Sequence, residues 1–191
     1  VRLTVIGCAG SYARADTAAS CYLVEHEGFR VLLDIGSGSL GPLQRHVDVV
    51  DGIDAVLLSH CHVDHCADLV SLYVLRKYGP RSAARLPVHG PSAALDRLAQ
   101  IDGSSPEALG QHLSVEPWTG ATVQIGPFAV TTAPMEHPVE THAIRLDAAG
   151  SSLTYSGDTG PTPALAGLAR GTDLALFEAS VVGPNPHSGL H

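Results

Sequence analysis

The sequence predicts a layered α/β domain with two β-sheets, on three observations. Strand-like and helix-like segments alternate through the first half of the chain. Segment 54–59 carries a continuous apolar run between polar ends, the pattern of a strand buried on both faces. Further strand-like segments between residues 122 and 155 are joined by glycine-containing turns, which supplies a second sheet to close the core.

Taken in order, residues 2–7, 20–25 and 29–34 read as strands rich in Val, Ile and Leu, separated by turn residues such as His26-Glu27-Gly28. Residues 34–38 turn the chain, and a short helix is expected over 40–47, opening near Pro42. The apolar strand at 54–59 delivers a histidine cluster at its C-terminal end. A helix follows over 66–77, with Leu69, Leu72, Tyr73 and Leu75 forming an uneven apolar face, and stops before Gly79-Pro80. Residues 86–89 read as a strand and 92–101 as a helix. The stretch 102–120 is the least regular, with a short helix opening at Ser105-Pro106-Glu107. Strands are expected at 122–125, 128–133, 141–146 and 152–155, a helix at 162–169 and a last buried strand at 173–177. A Pro/Gly/His-rich segment, 182–191, follows.

Composition narrows the functional classes. The chain has 191 residues, 45% of them apolar and 16% charged, enough for one domain over residues 1–191 with a substantial core. Eleven Lys and Arg against 19 Asp and Glu give a net charge of -8, which repels a phosphate backbone, so nucleic acid is disfavoured as a partner. Arg76, Lys77, Arg81 and Arg85 cluster locally and read as a solvated helix end and loop, with a local basic patch as the alternative. The cysteines, Cys8, Cys21, Cys61 and Cys66, lack C-x-x-C spacing, and no leader precedes the first strand, which together lead to the expectation of a reducing cytoplasm. No apolar run approaches the roughly 18 residues that suggest a membrane span.

The strongest chemical signal is His60-Cys61-His62-Val63-Asp64-His65, directly after the apolar strand. Imidazole and carboxylate are ligand types suited to zinc, manganese or iron, and close spacing at a strand end lets several converge on adjacent ions.

This loop resembles the signature of metallo-β-lactamase-fold hydrolases, and the resemblance extends along nearly the whole chain. Asp34-Ile35-Gly36 resembles the Asp-x-Gly loop that buttresses the metal site in that fold, and Ser156-Gly157-Asp158-Thr159-Gly160 resembles its bridging-aspartate loop. Asp158-Thr159-Gly160, with Phe177-Glu178-Ala179-Ser180 and then His191, is similar to the phosphodiesterase branch, which includes ribonuclease Z and cyclic-nucleotide phosphodiesterases.

The resemblance implies a four-layer αββα sandwich and a cofactor of two divalent metal ions, zinc first, with manganese or iron as alternatives. It implies that His60, His62 and His137 hold one ion, that Asp64 and His65 hold the other, and that Asp158 bridges them. His137 is preferred to His142 because it directly follows a strand, whereas His142 falls within the next one. Asp34 is expected to accept a hydrogen bond from a ligand histidine and so fix its tautomer. Relatives supply one further histidine beyond the position matched by His191, and the sequence given ends before it, so a chain lacking its C-terminal part is expected.

The implied reaction is phosphodiester hydrolysis by a hydroxide activated between the two metals. Asp64 or Asp158 would steer its proton, and His191 would bind a phosphate oxygen or protonate the leaving alkoxide. Only residues 138–157 separate His137 from Asp158, leaving no room for the long arm with which tRNA-processing relatives grip tRNA. With the acidic balance, this favours a small phosphodiester such as a cyclic nucleotide over the ribonuclease Z-like alternative. A thioester or lactone hydrolase, and a metal-binding scaffold without turnover, are further alternatives. A homodimer is compatible with the sequence. Cys61 and Cys66 read as buried apolar residues rather than metal-adjacent thiols, Gly7-Cys8-Ala9-Gly10-Ser11 as a common turn whose backbone amides could instead approach a phosphate, and Trp118 and Tyr12 as packing residues that could instead stack on a base.

Overall fold

The computed structural model describes residues 1–79 and 84–179. Strands β1 (Arg2–Ala9), β2 (Ala18–Ala19), β3 (Cys21–His26), β4 (Phe29–Ile35), β5 (Ala55–Leu57), β6 (Leu86–Gly90) and β7 (Leu113–Pro117) form a seven-stranded sheet in the order β2-β1-β3-β4-β5-β6-β7. The strands from β4 to β7 run parallel, so their C-terminal ends share one edge. Strands β8 (Val123–Ile125), β9 (Phe128–Pro134), β10 (His142–Ala148), β11 (Ser151–Tyr155) and β12 (Leu174–Leu176) form a second sheet in the order β12-β11-β10-β9-β8.

Alternation along the strands builds two apolar layers, because successive side chains point to opposite faces. Val31, Leu33, Ala55 and Leu57 face the second sheet and meet Phe128, Val130, Ile144 and Leu146. Their neighbours Leu32, Val56 and Leu58 face the other way, against helices. The central strands are therefore buried on both faces, as the unbroken apolar run in 54–59 requires. On the outer side lie α1 (Leu40–Leu43), α2 (Val63–Tyr78), α3 (Ala94–Asp102) and α4 (Pro106–Leu109), while α5 (Pro163–Leu168) packs on β9 and β10. The order of layers is helix, sheet, sheet, helix.

Several boundaries differ from the sequence expectations. Helix α2 begins at Val63, inside the histidine motif and three residues before the predicted start. Asp64 lies in the first turn, where a negative charge complements the helix dipole, and Cys66, Leu69, Leu72, Tyr73 and Arg76 then recur on the buried face. The helix expected over 40–47 is one turn, after which the chain bends at 44–46. Two strands had no clear sequence signal: β2 has two residues, and β7 carries the mixed sequence Leu-Ser-Val-Glu-Pro at an edge of its sheet. Strand β12 is not buried as expected, since Leu174 is 47% exposed.

Local caps account for other boundaries. Ser105 accepts a bond from the Ala108 amide at the start of α4, and Thr162 accepts one from Ala164 at the start of α5, each with proline next in sequence. No helix among the described residues is long and apolar enough to cross a membrane.

Candidate metal centre

The ends of β4, β5, β9 and β11 converge on one edge of the two-sheet core and bring the predicted residues together. His60 follows β5, His62 caps α2, Asp64 and His65 occupy its first turn, His137 follows β9 and Asp158 follows β11. Ligating atoms of His60, His62 and His137 lie within 4.8 Å of one another, and the same holds for His60, His65 and Asp158. The structure thus places His60 in both groups. Asp64 lies just outside the second group, its Oδ2 3.6 Å from His65 Nε2, while Asp158 Oδ1 is 3.1 Å from that nitrogen. His191 lies outside the described residues.

Asp34 organises this edge. It is fully buried, and its carboxylate accepts bonds from the Ser59 amide at 2.7 Å, the Ser59 hydroxyl at 2.7 Å and the Tyr155 hydroxyl at 2.7 Å. His65 Nδ1 is also 2.7 Å from Asp34 Oδ2, and a carboxylate there requires Nδ1 to be the donor. His65 therefore turns Nε2 toward Asp158. Ser59 Oγ, having given its proton to Asp34, accepts from His60 Nδ1 at 3.0 Å. That tautomer leaves a lone pair on His60 Nε2, which is buried and has no hydrogen-bond partner among the described residues. A buried acceptor without a partner costs about 1–3 kcal/mol. Its position among three other imidazoles and a carboxylate fits a divalent cation, and the N/O donor set suits zinc, manganese or iron.

Charge follows the same pattern. Burial first, and then the neighbouring positive His65, push His60 down to about 2, so its ring is neutral, the form that can ligate. For His65, burial opposes the imidazolium, but Asp34 and Asp158 outweigh it and raise the group to about 10 in the metal-free protein, so an ion held at Nε2 would have to displace that proton. Burial likewise opposes ionisation of Asp158, yet the bond from His65 and its charge hold the carboxyl at about 2.

Two close approaches explain why the loops have these sequences. A Cβ on Gly36 would stand 1.8 Å from the Asp64 carbonyl oxygen, so only glycine lets the loop after β4 lie against the start of α2. Gly157 has φ +58, and a Cβ there would meet Ser59 at 2.8 Å.

A family model described as "Beta-lactamase superfamily domain" matches residues 29–191. The chain belongs to this superfamily. Protein ML1173 of Mycobacterium leprae is 41% identical over 187 residues, covering 94% of this chain and 65% of its own length. The chain thus spans a little under two thirds of that relative. The probable metallo-hydrolase YhfI of Bacillus subtilis is 28% identical over 183 residues, covering 94% of this chain and 72% of YhfI. The crystal structure of YhfI, described as a metallo-beta-lactamase fold protein, superposes with a TM-score of 0.79 over 91% of this chain and 69% of that one. A ribonuclease Z of Methanopyrus kandleri is 32% identical over 142 residues, 74% of this chain and 48% of that protein.

Within this superfamily chain, three residues around the centre escaped the sequence reading. Ser59 was legible as the polar end of the apolar strand, but its link between Asp34 and His60 was not. Tyr155 resembled any strand aromatic. Ser11, with φ 62, donates its amide to Asp64 Oδ2 at 2.8 Å, and no sequence signal distinguishes it from an ordinary turn residue.

Other candidates fall away. Trp118 stacks on His89 and donates to the Leu58 carbonyl, which makes it a packing residue. Arg76 is buried and bonds the carbonyls of Val50 and Ala84, so it is not part of a solvated helix end; Arg81 lies outside the described residues. No cysteine joins either ligand group among the described residues, and contact with the Cys61 thiol, with burial, pushes the Cys66 thiol far above its ordinary range. His142 Nε2 lies 3.2 Å from Glu140 Oε1 and belongs to neither group.

Proposed function

We propose that this chain carries the metal centre of a metal-dependent phosphodiesterase acting on a small phosphodiester such as a cyclic nucleotide. The observation that carries the reading is the buried His60 Nε2, unpartnered among the described residues and shared by a group with His62 and His137 and a group with His65 and Asp158. His60, His62 and His137 would hold one divalent ion, and Asp64, His65 and Asp158 the second. When bound, such a pair supplies Lewis-acid polarisation of the phosphoryl oxygens and a nucleophile at neutral pH.

The chain's own residues do the rest. Asp34 holds His65 in the tautomer that presents Nε2, and Ser59 does the same for His60. Ser11, through its amide, holds the Asp64 carboxylate. Asp158, whose Oδ1 lies beside His65, would take or steer a proton from an attacking water.

A phosphodiester is supported by the likeness to a ribonuclease Z, and a small one by the form of the interval after His137. That interval is filled by the β10–β11 hairpin, turned at Ala149 and Gly150, with no protruding arm. The net charge of -8 points the same way. The 32% identity to that ribonuclease Z favours precursor tRNA as the second reading.

The test is to give full-length, metal-replete protein a panel of 3′,5′-cyclic nucleotides, 2′,3′-cyclic nucleotides, a chromogenic phosphodiester and a precursor tRNA. Cyclic nucleotides should be turned over fastest; preference for precursor tRNA reverses the order, and inactivity on the whole panel ends the reading. His62→Ala and Asp158→Ala should each abolish turnover while the far-ultraviolet circular dichroism stays unchanged.

A further inference from the structure

The metal centre accounts for the reacting phosphate and leaves the remainder of the substrate without a seat. Beside Asp158 the fold contains a cavity of about 640 Å³, within the range of about 300–1,000 Å³ usual for small-molecule sites. The loop between β1 and β2 and the segment that ends β12 enclose it, and Gly157 and Asp158 line it. The loop is tied to the centre, because Ser11 donates its amide to Asp64.

The lining has a distinct chemistry. Tyr12 is 65% exposed and Phe177 is 46% exposed, one from each enclosing segment. Among the described residues neither ring packs on another aromatic, whereas Tyr22 and Tyr155, also in the lining, meet in a tilted pair with ring centroids 5.3 Å apart. Arg14 is the one cationic side chain among the described lining residues, and it forms no ion pair among them. Exposed aromatic faces beside a cation, opening onto a hydrolytic centre, suit a planar apolar group attached to an anion.

The geometry points to a nucleoside subsite: the cavity takes the base of a nucleotide phosphodiester against Tyr12 and Phe177, with the phosphate directed to Asp158 and Arg14 meeting a non-bridging oxygen. This rests on the phosphodiesterase reading and extends it by naming what distinguishes the substrate. Tyr12 and Phe177 act here as specificity residues and take no part in bond cleavage. The interaction reads any base, since every base offers a π-face.

Two esters separate this claim from the reading beneath it. Thymidine 5′-(p-nitrophenyl phosphate) carries a base and methyl p-nitrophenyl phosphate does not, while both release the same chromophore. With full-length, metal-replete protein, Tyr12→Ala should raise KM for the thymidine ester by about tenfold or more, a factor corresponding to about 1.4 kcal/mol, with kcat little changed. Phe177→Ala should act in the same direction, Tyr12→Phe should restore the parent KM, and the methyl ester should respond to none of them. Saturation-transfer NMR with thymidine 5′-monophosphate gives a readout free of turnover: signal on the base protons should be strong with the parent protein and lost with Tyr12→Ala.

Equal effects of Tyr12→Ala on both esters, or no effect on either, overturn the subsite and leave the phosphodiesterase reading standing. If the parent protein cleaves neither ester, the panel above decides the phosphodiesterase reading, and the NMR comparison alone judges the cavity. Base signal that persists in Tyr12→Ala overturns the assignment.

Discussion

Asp34→Asn is the sharpest single perturbation of the centre, because it keeps shape and exchanges one acceptor for a donor. Asparagine tolerates the left-handed backbone that Asp34 adopts at φ 57, so backbone strain contributes little. Every group facing this carboxylate donates: Ser59 N to Oδ1, and Ser59 Oγ, Tyr155 Oη and His65 Nδ1 to Oδ2. If the amide nitrogen takes the Oδ1 place, it opposes the Ser59 N–H, two donors in a dry site. If it takes the Oδ2 place, the two hydroxyls can turn to accept, but His65 must move its proton to Nε2, which removes the lone pair aimed at the metal. The first arrangement costs about 1–3 kcal/mol of stability for an unpaired buried group. The second costs metal affinity, for which loss of such a supporting partner is worth about 10–100-fold. Zinc competition against a chromogenic chelator, with thermal melts of the metal-free protein, measures both. An Asp34→Asn protein that binds zinc and melts indistinguishably from the parent would refute the reasoning.

Other expected outcomes follow from neighbouring features. Gly36→Ala should lower Tm and weaken zinc binding together, since its Cβ must push back the Asp64 backbone, and overpacking of this kind costs about 1–3 kcal/mol or more. Gly167→Ala, within α5 with nothing within 4 Å of the new Cβ, should instead raise stability, by about 0.5–1 kcal/mol; a fall in Tm would contradict the helix as described. Phe128→Ala empties a fully buried site between the sheets and should cost about 3–5 kcal/mol in urea titration. Metal-free protein should also lose stability in alkali. His65 is raised from 6.5 to about 10 in the fold, so its contribution is fully present below 6.5 and is lost as pH rises through about 10. Melts of the chelated protein across that window should decline, and an equal decline in His65→Gln would show that another group is responsible.

The chemistry of the centre was legible in the sequence to the extent that it lies in one short stretch. His60, His62, Asp64 and His65 occur within six residues after an apolar strand, and their donor types restrict what they can bind. The helix start at Val63 was harder to read, because the first turn is occupied by Asp64 and His65 rather than apolar residues. Strand β7 was hidden by its edge position, where Ser114 and Glu116 break the apolar pattern that identified β5. The segment 173–177 looked buried because it is apolar, yet Leu174 and Phe177 are exposed among the described residues.

The sequence by itself determined the alternation of strands and helices, the unbroken apolar strand at the centre and the cluster of donors at its end. These are local properties, carried by side-chain periodicity and by neighbours along the chain. Only the tertiary structure decided that His60 joins both ligand groups, that Ser59 links it to Asp34, and that Tyr155 shares the same carboxylate from the other sheet. A hydrogen bond between residues 34 and 155 depends on how two sheets face each other, and no spacing along the chain encodes it.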